Sequence, residues 1–116
     1  MIKSLKNSNE YGVVYRKGKS YANKYLIMYV MKNDLMENRY GISVSKKVGN
    51  SVVRHRITRL IRESYRLNDS MFNSGLDIVV IARASAKGKG YEEINSAVLH
   101  LAKLHRIIVE KMIISE

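Results

Sequence analysis

Between Lys46 and Arg66 the chain reads KKVGNSVVRHRITRLIRESYR, where seven lysines and arginines stand against Glu63 alone, a net +6 out of the chain's formal +11. Set at about 100° per residue, Val53, Ile57, Leu60, Ile61 and Ser64 fall on one side, at the spacing of a buried stripe. His55, Arg59, Arg62 and Arg66 line up opposite them, and Arg54 and Arg56 project from the flanks. The pattern predicts a helix over 52–66 that docks one half on a core and turns a fan of cations outward. Ordinary surface helices mix signs to gain i,i+4 pairs. This one accepts repulsion along its exposed side, so the compensating partner is expected to be a polyanion.

The entry to that helix carries the same message. Gly49, Asn50 and Ser51 offer a flexible turn and a side-chain oxygen for the first free amides, and Lys46 and Lys47 stand just before it. Unpaired amides, the positive end of the helix dipole and two lysines form a seat for phosphate. No acid closes a capping box, because Val53 or Arg54 occupies its place.

At 116 residues the chain is read as one domain, 1–116, large enough for a core without staples. It has no Cys, which excludes disulfides and thiolate metal sites. Trp is absent and Phe single, but there are 8 Tyr, which stack on bases and hydrogen-bond through the hydroxyl. Tyrosine with excess Lys and Arg points to nucleic acid. No apolar run could cross a bilayer and MIKSLKNSNEYG lacks a signal-peptide core, so a cytoplasmic protein without a membrane partner is expected.

Taken in order, Ser4 to Lys17 reads as a short helix with Tyr11 and Tyr15 on one face beside Val14, weakened by Gly12. Arg16, Lys17 and Lys19 surround Gly18 in a basic turn. Lys24 to Met31 is a strand, with Tyr25, Ile27, Tyr29 and Met31 on one face. Lys32 to Asn38 reads as a hairpin loop. Arg39 to Ser45 alternates, Tyr40, Ile42 and Val44 one way and Gly41, Ser43 and Ser45 the other. That small, polar second face would floor a shallow groove if it neighboured the Tyr29 row. After the basic helix, Leu67 to Gly75 is a connection and LDIVVIA, Leu76 to Ala82, an interior strand covered on both faces. The basic helix should thus join a parallel pair. RASAKGKG, Arg83 to Gly90, is a basic loop, and Tyr91 to Met112 a helix whose Ile94, Ala97, Val98, Leu101, Leu104 and Ile108 cover the sheet.

A self-contained nuclease would need paired carboxylates for metal or histidines placed for acid and base work. The acids here are scattered, His100 and His105 differ in direction by about 140° on a helix, and His55 is distant. No catalytic residue and no metal ligand is assigned to the chain itself.

KKVGNSVVRHRITRLIRE, with GISVS before it and DIVVIAR after it, closely resembles the protein subunit of bacterial ribonuclease P, whose signature is a basic helix entered through Lys-Lys-Val-Gly-Asn. The likeness runs from about Asn9 to the last helix and takes in VVYRKGKSYANKYLIMYV. It implies an α+β fold, an α/β sandwich of about four strands and three helices with a left-handed β-α-β crossover, ribosomal-protein-like, where the general rule alone favours the right-handed form. It also implies the protein subunit of an endoribonuclease that removes the 5′ leader of precursor tRNA, with catalysis in the partner, the ribonuclease P RNA. The Mg²⁺ of the holoenzyme would be held by that RNA, with no cofactor on the protein alone and one protein monomer per RNA. By position, Lys46, Lys47, Asn50, Arg54, His55, Arg56, Arg59, Arg62 and Arg66 would face the RNA subunit. Tyr11, Tyr15, Arg16, Lys17, Tyr29, Ser43 and Ser45 would line a cleft for the leader. His55 replaces the family's usual Asn between two arginines, Tyr11 its usual Phe, and Ala84 its usual Pro. Charge and tyrosine content alone fit equally a ribosomal or RNA-chaperone protein that binds structured RNA without chemistry. A helix-turn-helix reader would need a helix where YGISVS reads as a strand.

Overall fold

The computed structural model describes residues 2–109. Its elements, in order, are β1 (Lys3–Ser4), α1 (Ser8–Lys17), β2 (Lys19–Ala22), β3 (Leu26–Lys32), β4 (Arg39–Ser43), α2 (Ser51–Asn68), β5 (Leu76–Ala82) and α3 (Tyr91–Leu104), with short 3-10 turns at Asp69–Met71 and Ala84–Ala86. One mixed five-stranded sheet runs β1-β4-β5-β3-β2. β4 pairs parallel with both β1 and β5, while β3 runs antiparallel to β5 and to β2. The basic helix α2 therefore joins two adjacent parallel strands, as its position between two strand patterns predicts.

β5 is the centre of the sheet because its β-branched run has no polar face to give to water. Leu76, Ile78, Val80 and Ala82 join Leu26, Met28 and Val30 of β3 and Tyr40 of β4 in the main core, which α2 closes with Ile57, Ile61 and Tyr65 and α3 with Ile94, Ala97, Val98, Leu101 and Ala102. On the other face Val79 packs with Leu5 and Val14, and Tyr11, Tyr29 and Met31 are half-buried around them. Ser64, a polar member of the α2 stripe, is tolerated in the core because its hydroxyl bonds Asn95 Oδ1 at 2.7 Å, where Asn68 Nδ2 also donates at 2.7 Å.

Several expectations are corrected. α1 begins at Ser8 on an Asn7 cap rather than at Ser4, because Lys3 and Ser4 pair with β4 and Asn7 Oδ1 accepts from Glu10 N at 2.9 Å. The mixed α+β sheet has five strands where about four are expected: Lys19, read as part of a basic turn, opens β2, and Lys3–Ser4 add β1. Residues 33–38 are no hairpin, since β5 lies between β3 and β4. Asn33 shapes that passage around the start of β5, donating to Asp77 Oδ1 at 2.9 Å and to the Glu37 carbonyl at 3.1 Å while accepting from Leu35 N at 2.8 Å. α3 ends at Leu104, short of Met112, which lies outside the described residues. Arg106 adopts φ 59°, so Ile107 folds into the core and Ile108 bridges Phe72 instead of extending the helical stripe. Leu104 is correspondingly exposed.

Two side chains fix the ends of this arrangement. His105 stands edge-on to Tyr21 at 4.7 Å, and its Nε2 lies 2.9 Å from the Met28 carbonyl, which requires the neutral ring to carry its proton on Nε2. Burial holds its pKa below the usual 6.5, the Met28 carbonyl opposing and Lys19 adding to that depression. At the far edge of the sheet, β1 is only two residues long, and beyond it the outward amide of Ile42 donates to Tyr11 Oη at 3.1 Å. The Tyr11 ring lies on Gly41, where a Cβ would come within 2.8 Å of it.

Two outcomes are expected. Because the unfolded chain protonates His105 more readily than the folded one, stability should be fully present above about pH 6.5 and fall as pH drops through and below that value. His105→Gln should flatten that slope in urea titrations between pH 7.5 and 5. Gly41→Ala should cost about 1–3 kcal/mol by overpacking, and Tyr11→Phe about 1 kcal/mol for one hydrogen bond. In a Tyr11→Ala background the Gly41 change should cost less, a coupling read from a double-mutant cycle.

Candidate nucleic-acid interface

α2 starts where the sequence places it. Asn50 is the cap, its Oδ1 accepting from Val53 N at 3.0 Å, and no acid stands in the first turn. Gly49 serves close packing rather than flexibility, since a Cβ there would lie 2.7 Å from Val53 Cγ1. Val48 is buried and its amide closes a turn onto the Ser45 carbonyl at 3.0 Å, which leaves Lys46 and Lys47 exposed ahead of the helix.

The cations of the helix divide into three groups. Arg54 Nε donates to the Gly49 carbonyl at 3.1 Å and Arg56 Nη1 to the Lys89 carbonyl at 2.8 Å, so both are held toward the helix entry, neither by a carboxylate. Arg66 is already paired: Glu63 accepts from its Nε at 3.0 Å and its Nη2 at 2.6 Å. Arg59 and Arg62 make no hydrogen bond or ion pair among the described residues, and His55 is exposed beside them. The sequence pattern shows the fan but not this division.

The second surface is the opposite face of the sheet. The register places Gly41, Val79 and Tyr29 in one row and Ser43, Ile81 and Ile27 in the next. The small face of β4 and the Tyr29 row are thus on the same side, but β5 lies between them. α1 covers only part of this face, so Ile27, Ser43 and Ile81 stay half-exposed beside it. Tyr15 and Tyr29 meet edge-on at 5.1 Å, and Tyr11 lies 6.4 Å from Tyr15. Burial pushes the Tyr15 phenol up, with Ser43 opposing the shift. The three tyrosines form one wall, Tyr15 the most open of them. Arg16 and Lys17 extend from the end of α1, the Arg16 guanidinium folded back over Gly12. Ser45 lies past the last residue of β4, at the turn into Lys46, so it belongs to the strand end rather than the floor.

Sequence reading missed the end of the sheet between the two surfaces. There Lys24 and Lys89 approach the Tyr25 ring at 5.6 and 5.5 Å, and Arg83 Nη1 donates to the Asn23 carbonyl at 2.8 Å. These residues follow or precede strand ends, and RASAKGKG carries the only linear hint of them. The histidines stay apart: His100 faces Asn23, His105 faces Met28, and among the described residues no three His, Asp or Glu side chains converge on a common point.

The family model for ribonuclease P matches residues 2–106. The ribonuclease P protein component of Lachnoclostridium phytofermentans is 74% identical over 108 residues, 93% of each chain. That of Alkaliphilus metalliredigens is 52% identical, over 90% of this chain and 94% of its own. The solved structure of the Staphylococcus aureus RNase P protein superposes with a TM-score of 0.85 at 34% identity, covering 94% of this chain and all of that one. A chain that matches this family model over nearly its whole length and a curated member at 74% identity belongs to the ribonuclease P protein component family, the protein subunits that associate with the RNA of this ribonucleoprotein in tRNA processing.

Proposed function

We propose that α2 and its lysine-bearing entry face the ribonuclease P RNA, and that the cleft beside α1 holds the 5′ leader of precursor tRNA. The RNA then carries the Mg²⁺ ions and the hydrolysis, one copy of the chain serves each RNA, and the assembly works in the cytoplasm. The observation that carries this reading is the separation of two surfaces on opposite faces of one sheet. On one, Arg59, Arg62, Lys46 and Lys47 have no acidic partner among the described residues. On the other, three tyrosines line an open strip with small side chains on its floor. The first suits the dense phosphates of a folded RNA, the second a single strand whose bases stack without sequence preference.

Added to a bacterial ribonuclease P RNA at low Mg²⁺, the chain should restore cleavage of precursor tRNA and favour substrates bearing a leader. Absence of stimulation would leave an RNA-chaperone role in its place. Arg59→Gln should weaken binding to the RNA and reduce the slope of log K against log salt by about 0.7–0.9, the amount set by one phosphate left without its cation. Tyr15→Ala should weaken leader-bearing substrate selectively, by roughly 1–3 kcal/mol for one stacked base, and an equal effect on mature tRNA would overturn the cleft assignment.

A further inference from the structure

At the outer edge of β4 the two surfaces come within one side chain of each other. A cavity of about 160 Å³ opens there, lined by Ser4, Tyr11, Ile42, Thr58 and Arg62 over Tyr40 and Tyr65. Its walls are aromatic and aliphatic, with polar groups set among them. Tyr40 and Tyr65 have hydroxyls committed elsewhere, to Asp69 and to the Gly41 carbonyl. Thr58 and Arg62 sit four apart on α2, on one side of the helix, and neither makes a side-chain hydrogen bond among the described residues, nor does Ser4. A mid-helix threonine usually returns its hydroxyl to the carbonyl four residues back; Thr58 does not. Along the strand edge, Leu5 N donates to the Tyr40 carbonyl at 2.8 Å and the Ile42 amide donates to Tyr11 Oη, which leaves the Ile42 carbonyl as the first acceptor past the end of β1.

We propose that this cavity receives a single unpaired base of the ribonuclease P RNA, with the adjoining phosphate on Arg62. The inference rests on α2 facing that RNA. A phosphate alone does not suit the cavity, because an anion has no donor for the Ile42 carbonyl and no use for aromatic walls. A nucleotide supplies both: ring edges that donate and accept opposite Ile42, Thr58 and Ser4, a flat face against the tyrosines, and a charge for the guanidinium. Pockets for drug-sized ligands span roughly 300–1,000 Å³, so the volume admits one base and little more. Thr58 is then a base-contacting residue and Arg62 a phosphate contact beside it.

The experiment is base-by-base chemical probing of the ribonuclease P RNA in the assembled holoenzyme, with and without precursor tRNA. Thr58→Met fills the cavity from α2 and Ser4→Trp fills it from β1, so a folding defect in one leaves the other as the test; thermal melting identifies folded variants. In the wild-type holoenzyme one or two adjacent nucleotides should be protected at their base edges. Both filled variants should return those nucleotides to the reactivity of free RNA, with RNA affinity reduced roughly tenfold, the scale of one stacked base. Arg59→Gln, outside the cavity, should lower affinity while leaving that protection in place once the RNA is saturated. If filled variants retain every protection, the base-pocket proposal is overturned while the helix assignment stands. If Arg59→Gln leaves affinity unchanged, the helix assignment itself fails. Protection that appears in the leader and only with precursor tRNA present would overturn the assignment to the RNA subunit.

Discussion

Tyr65 couples the basic helix to the sheet, and the rest of the surface takes its orientation from that contact. Its ring is wholly buried, 4.3 Å from that of Tyr40, and its hydroxyl donates to the Gly41 carbonyl at 3.0 Å. A buried phenol is costly unless its proton is placed, so the helix has one favourable rotation about its axis. Ile57 and Ile61 fall on the sheet at that rotation, Arg59 is exposed, and Arg62 is exposed at the sheet's edge. Tyr40 adds a second restraint, because its own hydroxyl reaches Asp69 at the end of the helix. Burial and the Asp69 carboxylate raise the Tyr40 pKa, which keeps this proton in place at any pH where the protein works.

That geometry explains how a helix of mutually repelling cations remains part of a stable domain. The repulsion acts on the solvent side, where screening is strong, and the apolar contacts act on the other. At the opposite end of β4 the balance is reversed. Arg39 is the half-buried cation there, and it is answered by Asp77 through Nε at 2.9 Å and Nη2 at 2.7 Å and by Glu10 at 3.2 Å. The hydrogen bonds to Asp77 raise the Arg39 pKa, as expected of a charge-assisted, two-point contact with a buried carboxylate. The same residue type thus serves as cement at one end of the strand and as an open contact at the other, according to whether a carboxylate lies within reach.

Much of this was legible in the chain. Leu76–Ala82 matches its expected bounds because Gly75, with φ 81°, and the polar Arg83 bracket a run that no helix period explains. The buried half of α2 follows from spacing, although the helix gains Tyr65 and Asn68 as buried members beyond the expected stripe. Strands of two and four residues rich in Lys and Ser carry no usable periodicity, so β1 and β2 emerge only from pairing with β4 and β3. The supposed hairpin fails for a related reason: turn residues such as Asn33 and Asp34 announce a reversal of direction but not which strand fills the space beside it. The hand of the crossover was carried by family resemblance alone. Of the cleft, the tyrosine spacing was readable, while the bond from the Ile42 amide to Tyr11 depends on β1 being too short to reach it.

Six of the eight acids of the described residues are engaged by partners within the chain. Glu10, Glu37, Glu63 and Asp77 are in ion pairs, Asp69 receives Tyr40, and Glu93 accepts from the Gly90 amide at 2.7 Å to start α3. Carboxylates therefore act here as fasteners: Glu10, Glu37, Glu63 and Asp77 each answer a nearby cation, while Asp69 and Glu93, bonded to neutral donors, keep their charge. An approaching polyanion meets the field of a chain whose formal charge is +11. The cations left over once these pairs have formed set the field that steers a polyanion, so the speed of encounter comes from their surplus and not from the fastening itself.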